Sequence, residues 1–203
     1  MAAKINKLKV KSSLTFTVLI LLLLGCSEKF EVLDDLGNSK FSLVDQTNTA
    51  REFPKLTKGK LTVVGYIFTN CPDICPLTTN NMRMIQDKVK EAKIKNIEFV
   101  SISFDPLQDK PETLRKFAEV RHLDLSNWTF LTGEKTIVDS LMNRIGILAV
   151  VSDSTVFKDG RKIYYYTHTD RIQLMDEEGK IRKNYKGSGI NVEEILNDIK
   201  SLD

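Results

Sequence analysis

Histidine and cysteine are scarce in this chain: His122 and His168 are the two histidines, and Cys26, Cys71 and Cys75 the three cysteines. Proline is scarce as well, with five residues and none after Pro111. The sequence contains no HExxH helix, no nucleophile elbow and no strand-to-helix Gly-x-Gly-x-x-Gly, so it offers no grounds for a zinc protease, an α/β-hydrolase or a dinucleotide enzyme. Gly187-Ser188-Gly189 lacks the strand-to-helix context of a phosphate loop and reads as a turn. No internal repeat and no low-complexity segment is present.

Excess charge is also lacking once the N-terminus is set aside. Residues 1–25 carry Lys4, Lys7, Lys9 and Lys11 and no acid, and an apolar run from Leu14 to Leu24 is broken only by Thr15 and Thr17. A basic stretch followed by a short apolar run is the pattern of an export signal. The run is shorter than the roughly 20 apolar residues that a spanning helix needs. It ends in Leu23-Leu24-Gly25-Cys26, which resembles a bacterial lipobox, where the cysteine is lipidated and becomes the first residue of the mature chain. The competing reading is an uncleaved anchor helix, and both readings place the rest of the chain outside the cytoplasm on a membrane surface. Removing residues 1–25 lowers Lys+Arg from 30 to 26 against 27 Asp+Glu, so the formal charge moves from +3 to −1. Nucleic acid is thereby excluded as a partner, because phosphate neutralisation needs a basic excess. The expected organisation is a signal peptide at 1–25, a tether at 26–37 with lipid on Cys26, and one domain at 38–203.

Within that domain, residues 39–45 read as an early strand of a short hairpin turning near Thr47-Asn48. Leu61 to Phe68 is a nearly continuous apolar run, as expected of a strand buried on both faces. Met82, Ile85, Val89 and Ala92 recur at helical spacing, which predicts a helix from Leu77 to Lys93. Ile97 to Phe104 is a second buried strand and completes a parallel β-α-β unit. Asp109, Pro111 and Glu112 mark a helix start. Trp128 to Leu131 predicts a short strand, and Ile137 to Ile145 a helix stopped by Gly146. A hairpin of Thr169–Met175 and Lys180–Tyr185 follows, then a helix from Asn191 whose capping box is completed by Glu194. The order predicts an α/β, thioredoxin-like fold: a central mixed sheet flanked by helices, with an N-terminal strand or hairpin extension.

The chemistry concentrates at Cys71-Pro72-Asp73-Ile74-Cys75-Pro76, where a buried strand ends and a helix begins. The positive end of a helix lowers thiol pKa and favours thiolate, the form that binds metal or attacks a disulfide. Three residues separate the cysteines, whereas the usual thioredoxin redox motif has two. A disulfide or redox pair stays open at this point. Thioredoxin-like oxidoreductases place a cis-proline just before the late hairpin strand; here that place is held by His168. Two thiolates and one imidazole suit copper, since thiolate selects Cu(I) and a low-coordinate set tolerates Cu(II). Structural zinc normally takes four ligands and a C-x2-C frame, which ranks it below copper; the oxygen that Asp73 offers keeps it open.

Most of the mature chain resembles the SCO/SenC family. Phe68-Thr69-Asn70-Cys71-Pro72-Asp73-Ile74-Cys75-Pro76 is similar to that family's copper-binding stretch, with Asn70 where His is common. Ser101-Ile102-Ser103-Phe104-Asp105-Pro106, then Asp109 and Glu112, matches its second motif. His168-Thr169, then Leu174, Asp176 and Gly179, matches the segment with the third ligand, and Thr167 stands where an Asp often precedes the His. The resemblance implies a copper chaperone that holds one ion, Cu(I) or Cu(II), through Cys71, Cys75 and His168. It also implies a copper donor protein, membrane attachment through the N-terminal lipid, and delivery to the copper centre of cytochrome c oxidase or reduction of that centre's cysteines. The alternative class is a membrane-tethered thiol:disulfide oxidoreductase acting on a client copper protein, with Cys71 and Cys75 as its redox pair.

Other residues take plainer readings. His122 lies past a helix end, where a cation meets the dipole favourably. Met82 belongs to the apolar helix stripe and Met84 lies off it, so neither is read as a thioether ligand. Asp105-Pro106 ends a strand near the presumed site and reads first as turn chemistry, with support of the ligands as the second reading. Segment 152–162 reads as a polar surface loop, and Tyr164, Tyr165 and Tyr166 as alternating across a strand.

Overall fold

Every residue of Leu61–Ile67 is buried, and this strand, β4, lies inside an eight-stranded sheet. The computed structural model describes residues 30–71, 74–158 and 162–202; the signal segment, Cys26, Pro72, Asp73 and the tip at 159–161 lie outside the described residues. Before β4 come β1 (Asp34–Asp35), β2 (Phe41–Asp45) and β3 (Ala50–Phe53). After it come α1 (Ile74–Glu91), β5 (Ile97–Ser103), α2 (Pro111–Val120), β6 (Trp128–Thr132) and α3 (Lys135–Arg144). The chain continues through β7 (Ala149–Val156), β8 (Lys162–His168), β9 (Ile172–Met175), β10 (Lys180–Tyr185) and α4 (Val192–Leu202).

The large sheet runs β1-β10-β9-β4-β5-β6-β2-β3, and β7 with β8 forms a separate two-stranded sheet. The β4–β5 and β5–β6 pairs are parallel and the rest antiparallel, so the sheet is mixed, as expected. Burial on both faces explains why β4 and β5 carry continuous apolar runs rather than alternation. Met82, Ile85 and Val89 are the inward stripe of α1, each at most 1% exposed. Helix and sheet approach closely at Gly65, where a Cβ would lie 2.3 Å from the Met82 sulfur. The N-terminal hairpin turns at Asp45, whose carboxylate accepts from the Thr47 and Thr49 N–H groups and from Arg51. Beyond α3, Gly146 takes φ 68°, a left-handed conformation that ends the helix without a Cβ penalty.

Several boundaries move. The segment read as a tether, 26–37, gives Asp34 and Asp35 to a strand beside β10 and buries Leu36 to 1% exposure. Helix α1 begins at Ile74 rather than Leu77, which puts Cys75 in its first turn. Pro111 opens α2, but Asp109 does not cap it; its carboxylate faces inward. Asn191 supplies one arm of the expected capping box, accepting from the Glu194 N–H at 3.2 Å, while the Glu194 carboxylate receives Lys183.

The largest correction concerns 149–168. Residues 152–156, read as loop, belong to β7, and β9 starts at Ile172 rather than Thr169, so His168 ends a ribbon strand instead of preceding the hairpin. Leu148, Val150, Val151 and Val156 are each about half exposed or more, between 49% and 67%. A strand pair held by its ladder with so little burial leaves no period-two pattern to read.

Candidate metal centre

Strand β4 runs into Phe68, Thr69 and Asn70 and delivers Cys71 at its end; α1 carries Cys75; β8 delivers His168 from the other sheet. The two sulfurs and one imidazole nitrogen all lie within 4.8 Å of one another, and Cys75 Sγ is 3.7 Å from His168 Nε2. A first-row metal bonded to sulfur at about 2.3 Å and to nitrogen at about 2.0 Å holds its ligands roughly 3.5–4 Å apart, so the spacing fits a single ion. Cys71 and Cys75 are not joined in a disulfide; Cys75 is buried and Cys71 partly exposed. The site is therefore open on the Cys71 side only in part.

Main-chain groups orient the sulfurs. The Cys75 N–H donates to Cys71 Sγ at 3.4 Å, and the Phe68 N–H donates to Cys75 Sγ at 3.5 Å. The expectation that the helix end lowers both thiol pKa values fails for Cys75. Its hydrogen bond with Cys71 and its burial push the thiol well up, outweighing the Phe68 N–H. A thiol held up in this way must give up its proton to bind a metal.

His168 is held for ligation through Nε2. Its Nδ1 lies 3.1 Å from the Thr169 carbonyl, an acceptor that fixes the Nδ1–H tautomer and leaves the Nε2 lone pair toward the sulfurs. Burial pushes the imidazole pKa down, but hydrogen bonds with Cys71 and Thr169 and the Asp170 charge leave it raised. An aromatic bed supports the ring: Phe104 stands 4.9 Å away by centroids and Phe68 6.3 Å, edge-on. Tyr166 fills the angle between them, 5.1 Å from Phe68 and 5.3 Å from Phe104.

Asp105 and Asp109 do more here than their first sequence readings, turn and helix start, implied. Asp109, fully buried, accepts from the Thr69 N–H at 2.9 Å, the Thr69 hydroxyl at 2.6 Å and the Ser103 hydroxyl at 2.6 Å. It thereby clamps the residues ahead of Cys71 to the end of β5. Asp105, 1% exposed, accepts from the Tyr164 hydroxyl at 2.7 Å. The motif in which both acids sit was visible in the sequence, but its partners, 40 and 59 positions away, were not. His122 sits at φ 51° past α2 and belongs to no metal-capable group among the described residues. Met82 is buried in the core and Met84 is exposed, in agreement with their plain readings.

The SCO1/SenC family model matches residues 33–202. The chain belongs to the SCO1/SenC family. A SCO1 protein homolog of Bacillus subtilis is 31% identical over 197 residues, covering 96% of this chain and 97% of that protein. Among solved structures, a SCO1/SenC family lipoprotein from Bacillus anthracis is 32% identical with TM-score 0.69, covering 87% of this chain and 99% of the other. Bradyrhizobium japonicum ScoI, solved with copper bound, is 26% identical with TM-score 0.63, covering 81% of this chain and 98% of its own. These neighbours share the thioredoxin-like α/β architecture described above.

Proposed function

We propose that this protein is a copper chaperone, holding one ion through Cys71, Cys75 and His168 and passing it to a partner by ligand exchange. The observation that carries the reading is the convergence of two sulfurs and one imidazole within 4.8 Å on three separate elements. Copper is the metal this donor set favours, since thiolate selects Cu(I) and three ligands leave room for an incoming sulfur. A family member with copper bound supports the same choice. The client that the family resemblance implies is the copper centre of cytochrome c oxidase, with a separate protein as donor. Export and a lipid on Cys26 fit the sequence of residues 1–26 and the lipoprotein relative.

In the test, the domain is reconstituted anaerobically with Cu(I), then with Cu(II), and bound metal is counted. Wild type holds one ion per chain. Cys71→Ser and Cys75→Ser lose stoichiometric copper, while His168→Ala keeps Cu(I) weakly and loses most of its Cu(II). Full occupancy in either serine variant refutes the reading.

A second reading rests on the unequal exposure of the two thiols. A partly exposed Cys71 is placed to attack a client disulfide, and buried Cys75 to resolve the mixed disulfide. It predicts client reduction by metal-free protein and indifference to His168→Ala.

A further inference from the structure

His168 ends a strand of the small sheet, whereas Cys71 follows β4 and Cys75 lies in α1, so something must hold the ribbon of β7 and β8 at the right distance from the end of β4. A continuous line of hydrogen bonds does so. The Thr69 hydroxyl and N–H donate to Asp109; the Ser103 hydroxyl donates to the same carboxylate; the Asp105 N–H donates to the Ser103 oxygen at 3.0 Å; and the Tyr164 hydroxyl donates to Asp105. One end of the line is two residues before Cys71, and the other is four residues before His168 on the same strand. Ser103 and both aspartates are at most 1% exposed. Their hydrogen bonds act in a low-dielectric setting where leaving a partner unmade is costly.

Resting on the copper reading above, we propose that Tyr164 and Asp105 are positioning residues for His168. They latch the ribbon to the end of β5 and thereby set the distance of the imidazole from the sulfurs. Geometry argues for a latch and not for general packing. Tyr165, the next residue, is 43% exposed and points away from the body, whereas Tyr164 and Tyr166 turn toward Asp105 and the aromatic bed. Among the described residues the ribbon makes no ladder hydrogen bond with the large sheet, so side chains carry its attachment. Asp105 keeps one buried carboxylate oxygen without a hydrogen bond, and its partners on the ribbon are Tyr164 and, beside it, Tyr166. Metal-site partners that orient a ligand typically change affinity by about 10- to 100-fold when removed.

The experiment compares Tyr164→Phe with wild type, His168→Ala and the outward control Tyr165→Phe. In metal-free protein, NMR reads the His168 ring protons, which lie in the ring-current field of Phe104. In Tyr164→Phe these resonances move toward free-histidine values while circular dichroism shows the fold retained, and in Tyr165→Phe they stay as in wild type. Loaded with metal, Tyr164→Phe keeps one Cu(I) per chain but loses about 10- to 100-fold in Cu(II) affinity, with a Cu(II) spectrum displaced toward that of His168→Ala. Unchanged His168 resonances together with wild-type Cu(II) affinity overturn the latch. A wild-type protein that binds no copper overturns the chaperone reading instead, and the NMR comparison then still decides whether Tyr164 positions the ring.

Discussion

Cys75 is fully buried at the start of a helix packed on a strand without one exposed residue, whereas His168 closes a ribbon whose Val150, Val151 and Val156 face solvent. The cysteine arm inherits the rigidity of the core: β4 is paired on both sides, by β5 and β9, and α1 covers it through Met82 and Ile85. The histidine arm has one ladder of its own and is fastened to the body through Tyr164 and Tyr166. On the chaperone reading proposed above, the sulfurs hold the ion and the imidazole releases it, because an element with little buried area opens at a lower free-energy cost than the core.

The comparison is broken most sharply by removing core volume. Phe99→Ala on β5, where Phe99 is 0% exposed against Trp128, is expected to cost about 3–5 kcal/mol. Calorimetry then shows a thermal midpoint lower by about 6–20 °C. A loss below about 1 kcal/mol would show that the sheet is not the rigid arm described. Next in size is Gly65→Ala. The new methyl meets the sulfur of buried Met82, two turns along α1 from Cys75, and makes that side chain repack at about 1–2 kcal/mol. Cu(I) affinity falls in that variant together with stability, which denaturant titration and a competing chelator read separately. The smallest effect belongs to the ribbon: Val156→Ala, at a side chain 67% exposed, stays within about 0.5 kcal/mol by chemical denaturation.

The same contrast explains what the sequence disclosed. Strands β4 and β5, helix α1 and the turn at Asp45 to Thr49 were legible, because burial on both faces, helical spacing and short-range side-chain capping each write a local pattern. Gly146 likewise marked the end of α3 through a conformation that few residues other than glycine adopt. Strand β7 was not legible: its exposed valines and intervening polar residues satisfy a hydrogen-bond ladder without a buried face, and such a stretch reads as loop. The shift of register between Val151 and Asp153 blurs the alternation further. At the site, the two cysteines stood out by their place at a strand-to-helix junction, and His168 by its position relative to the late strands and its resemblance to the family segment. The partners of Asp105, Asp109 and Tyr164 could not be read, since a buried carboxylate whose donors lie 40 or 59 residues away leaves no mark on its neighbours. The raised pKa of Cys75 is of the same kind: helix position argued for a thiolate, and only the contact with Cys71 and the depth of burial reverse it.

The central claim is that two sulfurs from the core and one nitrogen from the ribbon bind the same ion. X-ray absorption at the copper edge of the Cu(I)-loaded protein, repeated on His168→Ala, reads those ligands directly. The account predicts two sulfur scatterers in both proteins and one nitrogen scatterer that disappears in the variant. A first shell identical in the two proteins, or one with fewer than two sulfurs in the wild type, would contradict it.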